Sequence, residues 1–583
     1  NSFRSGQEEI INSILNKKNI LAVMPTGAGK SLCYQIPALI FSRGTIVVSP
    51  LVALMDDQIL TLKENGIAAD RIHSHRSEEL NKETLNNFKT GKIKILYLSP
   101  ENLMSEKTLN ELSNTDIAMF AIDEAHCISK WGVSFRPQYE ELSRLSKIYP
   151  DAVIAGFTAT ADKDTREDII HKLSNYNSKI FVQGFDRPNL SLAVEQKDDW
   201  KKQILIFLEN KINESGIIYC LSRKQTEDVA EFLNKKNYRA IPYHAGQQSN
   251  IRKNNQEIFM NENGIIMVAT IAFGMGIDKS NIRFVAHLSL PSSIESYYQE
   301  IGRAGRDGNP AETLLLYGLN DLFQRRRFIE SDGDDYQHKL RENKRLDSLL
   351  AYCETPICRK KALLSYFDEH VEDCNNCDNC FNPPKMLDGT KLAQMVLSAI
   401  YRSGQIFGTV HIINILLGNK TDKIIEKKHD KIKTFGIGHN YKKDFWQGFI
   451  RQLISSGHLI INIKKFGCLQ ITKSGLKILK DDKYFNYKEI IFKAAKTIKK
   501  NKNTKEVLNI DNNDLEILTS LKELRLNIAR EKSIPAFVIF PDSSLIEMAK
   551  IKPQNLQEMI KINGVGPSKL KKYGTSFLEV INK

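Results

Sequence analysis

Nowhere in this chain do about eighteen apolar residues run together, so no membrane-spanning helix is expected. The longest apolar stretches, such as Ile117–Ile122, are only long enough for a strand. The opening residues, NSFRSGQEEI, lack the basic start and apolar core of a signal peptide. Cysteine is scarce, nine in 583 residues, which excludes a disulfide-built scaffold. No repeat of solenoid period is present. Acidic residues are in deficit, 69 against 83 Lys and Arg, leaving a formal charge of +14. That imbalance favours a polyanionic partner, because phosphates attract Lys and Arg and release counterions on binding. A genome rich in Lys codons would produce the same excess. Hydrophobic residues at 41% and charged residues at 26% exclude wholesale disorder, and the length suits roughly three to five domains.

Between residues 19 and about 320, β-rich runs alternate with amphipathic stretches. The runs are Ile20–Val23, Thr45–Val48, Ile93–Leu98, Ile117–Ile122 and Ala152–Phe157, then Gly216–Cys220, Ile265–Ala269, Phe284–Leu288 and Thr313–Tyr317. Strands alternating with helices imply right-handed βαβ units and parallel sheets, with functional residues at the carboxyl ends of the strands. Two series, split near FDRPNL (185–190), predict two α/β domains sharing a cleft. Residues 341–382 read as helical and close on a cysteine cluster. Residues 390–480 mix helices with a β-ribbon, Leu459–Ile463 and Cys468–Ile471. From Lys483 to Lys505 eight Lys face one acid, Glu489, which reads as a solvated linker. The last 73 residues are again helical.

MPTGAGKS (24–31) follows a strand and opens a helix, the context of a phosphate-binding loop. Thr26, Gly27 and Gly29 would let backbone N–H groups close around phosphates at a helix N-terminus. Lys30 would reach the β- and γ-phosphates and Ser31 a Mg²⁺ ion. The strict pattern wants Gly at position 24, where Met24 stands. DEAH (123–126) ends the strand Ile117–Ile122. Asp123 there suits the Mg²⁺ shell, and Glu124 suits the base that deprotonates the attacking water. QEIGRAGRDG (299–308) supplies an arginine finger for charge developing on the γ-phosphate: Arg306 first, with Arg303 and Gln299 alongside.

Cys358, Cys374, Cys377 and Cys380 offer four thiolates at a spacing that suits tetrahedral Zn²⁺. The run of two-residue gaps also serves iron–sulfur chemistry. The other five cysteines, Cys33, Cys127, Cys220, Cys353 and Cys468, read as small buried side chains.

The segments FRSGQ (3–7), MPTGAGKSLCYQIP (24–37), VVSPLVALMDDQ (47–58), DEAHCISKWGVSFRPQY (123–139), FTATA (157–161), FDRPNL (185–190), GIIYCLSR (216–223), YHAG (243–246), VATIAFGMGIDK (268–279) and ESYYQEIGRAGRDG (295–308) occur in order and closely resemble the RecQ DNA helicases of superfamily 2. The PTGxGKS variant is the one such motors carry. The resemblance implies two RecA-like parallel-sheet domains followed by a helical zinc-binding subdomain, a winged helix and a small all-α C-terminal domain. The corresponding boundaries are 1–188 and 189–325 for the motor domains and 326–385 for the zinc subdomain. They continue with 386–482 for the winged helix, 483–510 for a basic linker and 511–583 for the helicase-and-RNase-D C-terminal (HRDC) domain.

The resemblance also implies ATP, Mg²⁺ and Zn²⁺ as cofactors and 3′-to-5′ unwinding of DNA in recombination and repair. It places Arg4 and Gln7 against the adenine, with a stacking aromatic upstream of Phe3, before Asn1. Thr158 and Thr160 match the motif that links hydrolysis to domain closure. Single-stranded and duplex DNA would be the partners, joined by single-strand-binding protein and topoisomerase. The protein would act as a monomer, off the membrane, in a bacterial cytoplasm at the nucleoid or in a eukaryotic nucleus.

Trp131, Phe135 and Tyr139 with Arg136 present flat faces for bases, worth ~1–3 kcal/mol per stacked base, immediately after the catalytic carboxylates. Ser49–Pro50, Ser99–Glu101, Ser222–Arg223 and Thr270–Asp278 would track the sugar–phosphate backbone. Asn102 stands where the family usually has Arg. In the winged helix, DFWQGFIRQLISSG (444–457) reads as a helix, and Phe466 at the wing tip either wedges base pairs apart or packs beneath the wing. Near the C-terminus, INGVGPSKLKKYG (562–574) places Lys569 in a phosphate grip; a spacer or protein-binding role is the alternative. Phe537 replaces a Tyr often found in the family. An RNA-unwinding enzyme and a non-catalytic DNA-binding scaffold are the rival readings; ATPase assays with DNA and RNA strands separate all three.

Overall fold

The structure is a computed structural model. It describes residues 3–4, 6–25, 27–50, 52–73, 76–129, 136–161, 163–174, 177–271, 273, 279–333, 335–462, 468–480, 482–489, 512–532, 534 and 536–582. Thr26, Trp131, Phe135 and Phe466 lie outside the described residues.

Seven parallel strands form the first sheet: β1 (Ile20–Val23), β2 (Gly44–Val48), β3 (Ala69–Ile72), β4 (Ile95–Leu98), β5 (Ile117–Ile122), β6 (Val153–Thr158) and β7 (Lys179–Val182), in the order β3-β4-β2-β5-β6-β1-β7. The second sheet has six: β8 (Leu190–Gln196), β9 (Ser215–Tyr219), β10 (Arg239–Tyr243), β11 (Ile265–Ala269), β12 (Ile282–His287) and β13 (Ala311–Tyr317), in the order β10-β11-β9-β12-β13-β8. Helices cover both faces, so β1, β4, β5 and β6 are buried at every position, as their unbroken apolar sequences require. Both sheets are RecA-like.

Four strands were not expected: β3, β7, β8 and β10. Each is the edge of its sheet. Lys179–Val182 is exposed at three of four positions, and Arg239–Tyr243 carries Pro242. Edge strands meet water along one side, so their sequences lack the continuous apolar signal.

After β13, long helices lead to the cysteine cluster, and a helical domain with a β-ribbon follows. Its helix Lys443–Ser455 buries Trp446 and Phe449 fully, and Leu459–Asn462 pairs antiparallel with Cys468–Ile471 as the wing. Met386–Asp388 pairs with Asn486–Lys488, so the strand that closes this domain lies in residues expected to be linker. A Lys-rich composition concealed it, because Tyr487 alone of its three residues faces the core. Helices from Asn512 to Ile581 form the last domain around Phe540, Met548 and Phe577. No helix among the described residues is long and apolar enough to cross a membrane.

Candidate functional site: the interdomain nucleotide cleft

Gly27 and Gly29 both adopt left-handed backbone conformations, at φ of 85° and 82°. Gly29 caps the helix Lys30–Ile40, so the loop turns its N–H groups toward the helix N-terminus where phosphate charge is favoured. A side chain at Gly29 would meet the Gln7 amide at 2.5 Å. Gln7 is buried, and its Nε2 donates to the carbonyls of Ala28 (3.0 Å) and Gly29 (3.3 Å). The Arg4 guanidinium donates to the Gly27 carbonyl. The two residues expected at the adenine thus brace the phosphate loop in this arrangement. Ser31 accepts a hydrogen bond from Gln58 Nε2 (3.2 Å), and Gln58 Oε1 in turn accepts the hydroxyls of Tyr34 and Tyr97 at 2.7 and 2.8 Å. Gln58 was visible in the sequence only as the end of a motif; its orienting contact with Ser31 is a structural finding.

Asp123 and Glu124 emerge from β5. Asp123 is buried; loss of water and the adjacent Glu124 carboxylate push its carboxyl up to about 7, opposed by the Lys30 ammonium. Glu124 sits at φ 49°, a strained turn for a residue with a side chain. Its Oε2 is shut off from solvent and accepts no hydrogen bond among the described residues, so it is a buried acceptor left open in the cleft. His126 Nδ1 lies 3.3 Å from that oxygen and 2.9 Å from Thr158 Oγ1. Burial pushes the imidazole down, which keeps it neutral. Thr158 Oγ1 donates to the Thr160 carbonyl (3.1 Å), and Thr160 Oγ1 accepts from Gln299 Nε2 of the second domain at 2.8 Å. A series of polar contacts, opening on the 3.3 Å approach of His126 to Glu124 and passing through the carbonyl and then the hydroxyl of Thr160, therefore leads from Glu124 across the cleft.

A cavity of about 670 Å³ lies between the domains, lined among others by Arg4, Gly27, Arg187 and Arg306. Arg306 crosses from the second domain to the phosphate loop: a Cβ on Gly27 would stand 3.4 Å from Arg306 Cγ. Arg303 is buried and faces Tyr219 instead. Of the two arginines expected at the γ-phosphate, Arg306 lines this cavity and Arg303 does not.

On the expected DNA side, Ser222 and Arg223 are exposed, and Ser222 caps the helix Arg223–Asn234 through Gln225 N–H (3.2 Å). Ser49 is only 2% exposed and turned inward, which removes it as a backbone contact in this arrangement. Tyr139 is fully buried and its hydroxyl donates to the Asp123 carbonyl at 3.2 Å, so it is core rather than a stacking platform. Arg136 Nη1 donates to the Pro50 carbonyl (3.1 Å), fastening the end of the aromatic loop to the segment after β2.

The ligand sulfurs of Cys358, Cys374, Cys377 and Cys380 all lie within 4.8 Å of one another. Cys374 and Cys380 are 3.9 Å apart, Cys377 and Cys358 4.0 Å. Sulfurs ~2.3 Å from one tetrahedral ion stand ~3.8 Å apart, so the cluster fits a single zinc. A multi-iron cluster would divide the thiolates between two or more irons and hold sulfurs on different irons farther apart than this. Hydrogen bonds from the Cys374 thiol and from backbone N–H groups hold the Cys377 thiol down, to about 5. Arg359, fully buried, grips Asp378 at 2.9 and 3.1 Å, and Asp378 accepts the Val194 N–H at 3.0 Å. The metal centre is thereby tied to β8 of the motor. The remaining five cysteines are buried, as expected.

Lys569 is 6% exposed and packed beside Glu64, not open to a phosphate. Its domain rests on both motor domains. Ser568 Oγ donates to the Glu64 carbonyl (3.0 Å), Tyr573 and Lys572 engage the Glu64 carboxylate (2.9 and 3.1 Å), and Ala536 N–H reaches Asn261 Oδ1 (3.2 Å).

Five family profiles match in order: DEAD/DEAH box helicase over residues 4–169, helicase conserved C-terminal domain over 196–308, RecQ zinc-binding over 319–381, RQC domain over 383–510 and HRDC domain over 514–581. The chain is 43% identical to the ATP-dependent DNA helicase RecQ of Haemophilus influenzae, over all of this chain and 94% of that protein. It is 40% identical to the protein of the same name from Pasteurella multocida, over all of the chain and 92% of that protein. The Bacillus subtilis protein of that name is 39% identical over 99% of the chain and 96% of its own length. Five matching profiles in order and relatives of about 40% identity over the whole chain show that the chain belongs to the RecQ family of ATP-dependent DNA helicases.

Proposed function

We propose that this chain moves 3′ to 5′ along one DNA strand and unwinds duplex ahead of it, with Glu124 as the hydrolytic base and Arg306 as the finger. The observation that carries the reading is the path Glu124–His126–Thr158–Thr160–Gln299, which joins the carboxylate in one domain to a side chain in the other. Lys30 and the loop around Gly27 and Gly29 hold the β- and γ-phosphates. Ser31 and Asp123 hold Mg²⁺, which when bound neutralises phosphate charge. Glu124 accepts the proton of the attacking water, and Arg306 meets charge developing on the γ-phosphate. Closure of the cleft brings Gln299 to Thr160, so the state of the nucleotide sets the spacing of the two domains.

Trp131 and Phe135 stack on the tracking strand just beyond Glu124, and Arg223 follows its backbone. The winged helix, through Phe466, meets the duplex. The reading extends to recombination and repair at the nucleoid, with single-strand-binding protein and topoisomerase as partners and the chain acting as a monomer; family membership is what supports it. Unwinding of duplexes with a 3′ or a 5′ single-stranded tail tests the direction: 3′-tailed substrates should open and 5′-tailed ones should not. Equal opening of both would reject it. Trp131→Ala should lower the factor by which single-stranded DNA stimulates ATPase activity; an unchanged factor at reduced melting temperature would make Trp131 a packing residue.

A further inference from the structure

The segment joining the two motor domains does more than span them. Arg187, on that segment, donates from Nη2 to the carbonyls of Ala304 (3.0 Å) and Gly305 (2.8 Å), and its Nη1 lies 3.5 Å from the Gly302 carbonyl. Asn189 Nδ2 donates to the Gly305 and Asn309 carbonyls at 2.9 and 2.8 Å, and its own carbonyl accepts the Ala311 N–H (3.0 Å). Gly305 is at φ 59°, and a side chain there would meet Asn189 Nδ2 at 2.4 Å. The loop that bears Arg306 therefore turns its carbonyls inward onto two hinge side chains.

The hinge itself is fixed from outside. Phe185 stacks on Phe367 at 4.6 Å, its carbonyl accepts the Tyr298 hydroxyl (2.8 Å), and Asp186 pairs with Lys360 at 2.9 Å. Asp307, next to Arg306, is held by Arg283 at 2.6 Å. From these contacts we infer that Arg187 is a positioning residue for the arginine finger. It gathers the carbonyls of Gly302, Ala304 and Gly305 so that the Arg306 side chain leaves the loop toward Gly27.

A planar guanidinium with five fixed donors suits convergent carbonyls, whereas a Lys ammonium is a point donor on a flexible stem. Burial and the neighbouring Arg306 and Arg4 charges act against the Arg187 cation, so its place beside two other cations is held by these hydrogen bonds. The inference rests on Arg306 being the finger, as proposed above.

A double-mutant cycle separates the two claims. Arg187→Gln, Arg306→Ala and the double variant are compared for kcat and KM in DNA-stimulated ATPase assays, with melting temperature recorded for each. Misplacing a catalytic group by ~1 Å costs up to ~10²-fold, so Arg187→Gln should lower kcat roughly 10- to 100-fold with KM for ATP nearly unchanged. In the Arg306→Ala background the same change should cost less than about twofold. Arg187→Lys, which keeps charge and fold, should behave as Arg187→Gln does, and it carries the cycle if the Gln variant fails to fold. Equal losses in both backgrounds would overturn the positioning role and leave the finger standing. A wild-type rate in Arg306→Ala would overturn both.

Discussion

Gln299 donates its side-chain amide to the Thr160 hydroxyl at 2.8 Å, one residue from each motor domain. It is the link at which the polar path from Glu124 passes from the first sheet to the second. A neutral hydrogen bond contributes about 1 kcal/mol net, worth several-fold in rate if it is made on closure. Gln299→Ala should therefore lower kcat for DNA-stimulated ATP hydrolysis by roughly three- to tenfold, with ATP affinity kept. Steady-state kinetics with and without single-stranded DNA check this, and an unchanged kcat would remove the link from the cycle.

The cysteine centre is expected to be structural. Zinc binding is folding free energy, so Cys377→Ser should lose the metal and melt the 341–382 region at lower temperature. Elemental analysis of the wild-type protein should return one zinc and no iron, and iron would reject the assignment.

The winged-helix domain should soften in mild acid. Burial, reinforced by His429 for His411 and by Lys483 for His458, pushes both imidazoles down from 6.5 to about 4. Between those values the unfolded chain takes up protons that the folded rings refuse, so stability falls as pH drops from 6.5 to 4. His411→Asn should flatten that slope in pH-dependent melting curves; a slope unchanged by both His411→Asn and His458→Asn would contradict it.

The docked position of the last domain depends on Glu64, which meets Lys572 and Tyr573. Partly exposed ion pairs contribute ~0–1 kcal/mol and are screened by salt, so the dock is weak. Glu64→Lys should release the domain, seen as a larger radius of gyration in X-ray scattering and greater exposure of Lys569 to amine labelling. A variant as compact as the wild type would show that other contacts hold the domain.

Both motor sheets were legible in the sequence because their central strands are buried on both faces and announce themselves as short apolar runs. The edges β3, β7, β8 and β10 were not, since half their surface meets water or helix ends. Lys30, Asp123 and Glu124 were legible because chemistry restricts their residue types and the turns beside them. Burial was not: Ser49, Tyr139 and Lys569 carry side chains suited to DNA, and three-dimensional packing turns all three inward. Gln58 and Arg187 were hidden for the opposite reason, because each acts on backbone or hydroxyl groups brought near only by folding.

Glu124→Gln tests the account most directly, because it removes the proton acceptor and keeps the shape. General-base catalysis contributes ~10²–10⁴-fold, so DNA-stimulated ATP hydrolysis should fall by that factor while ATP still binds. Hydrolysis near the wild-type rate in the presence of single-stranded DNA would contradict the assignment of Glu124, and with it the path to Gln299.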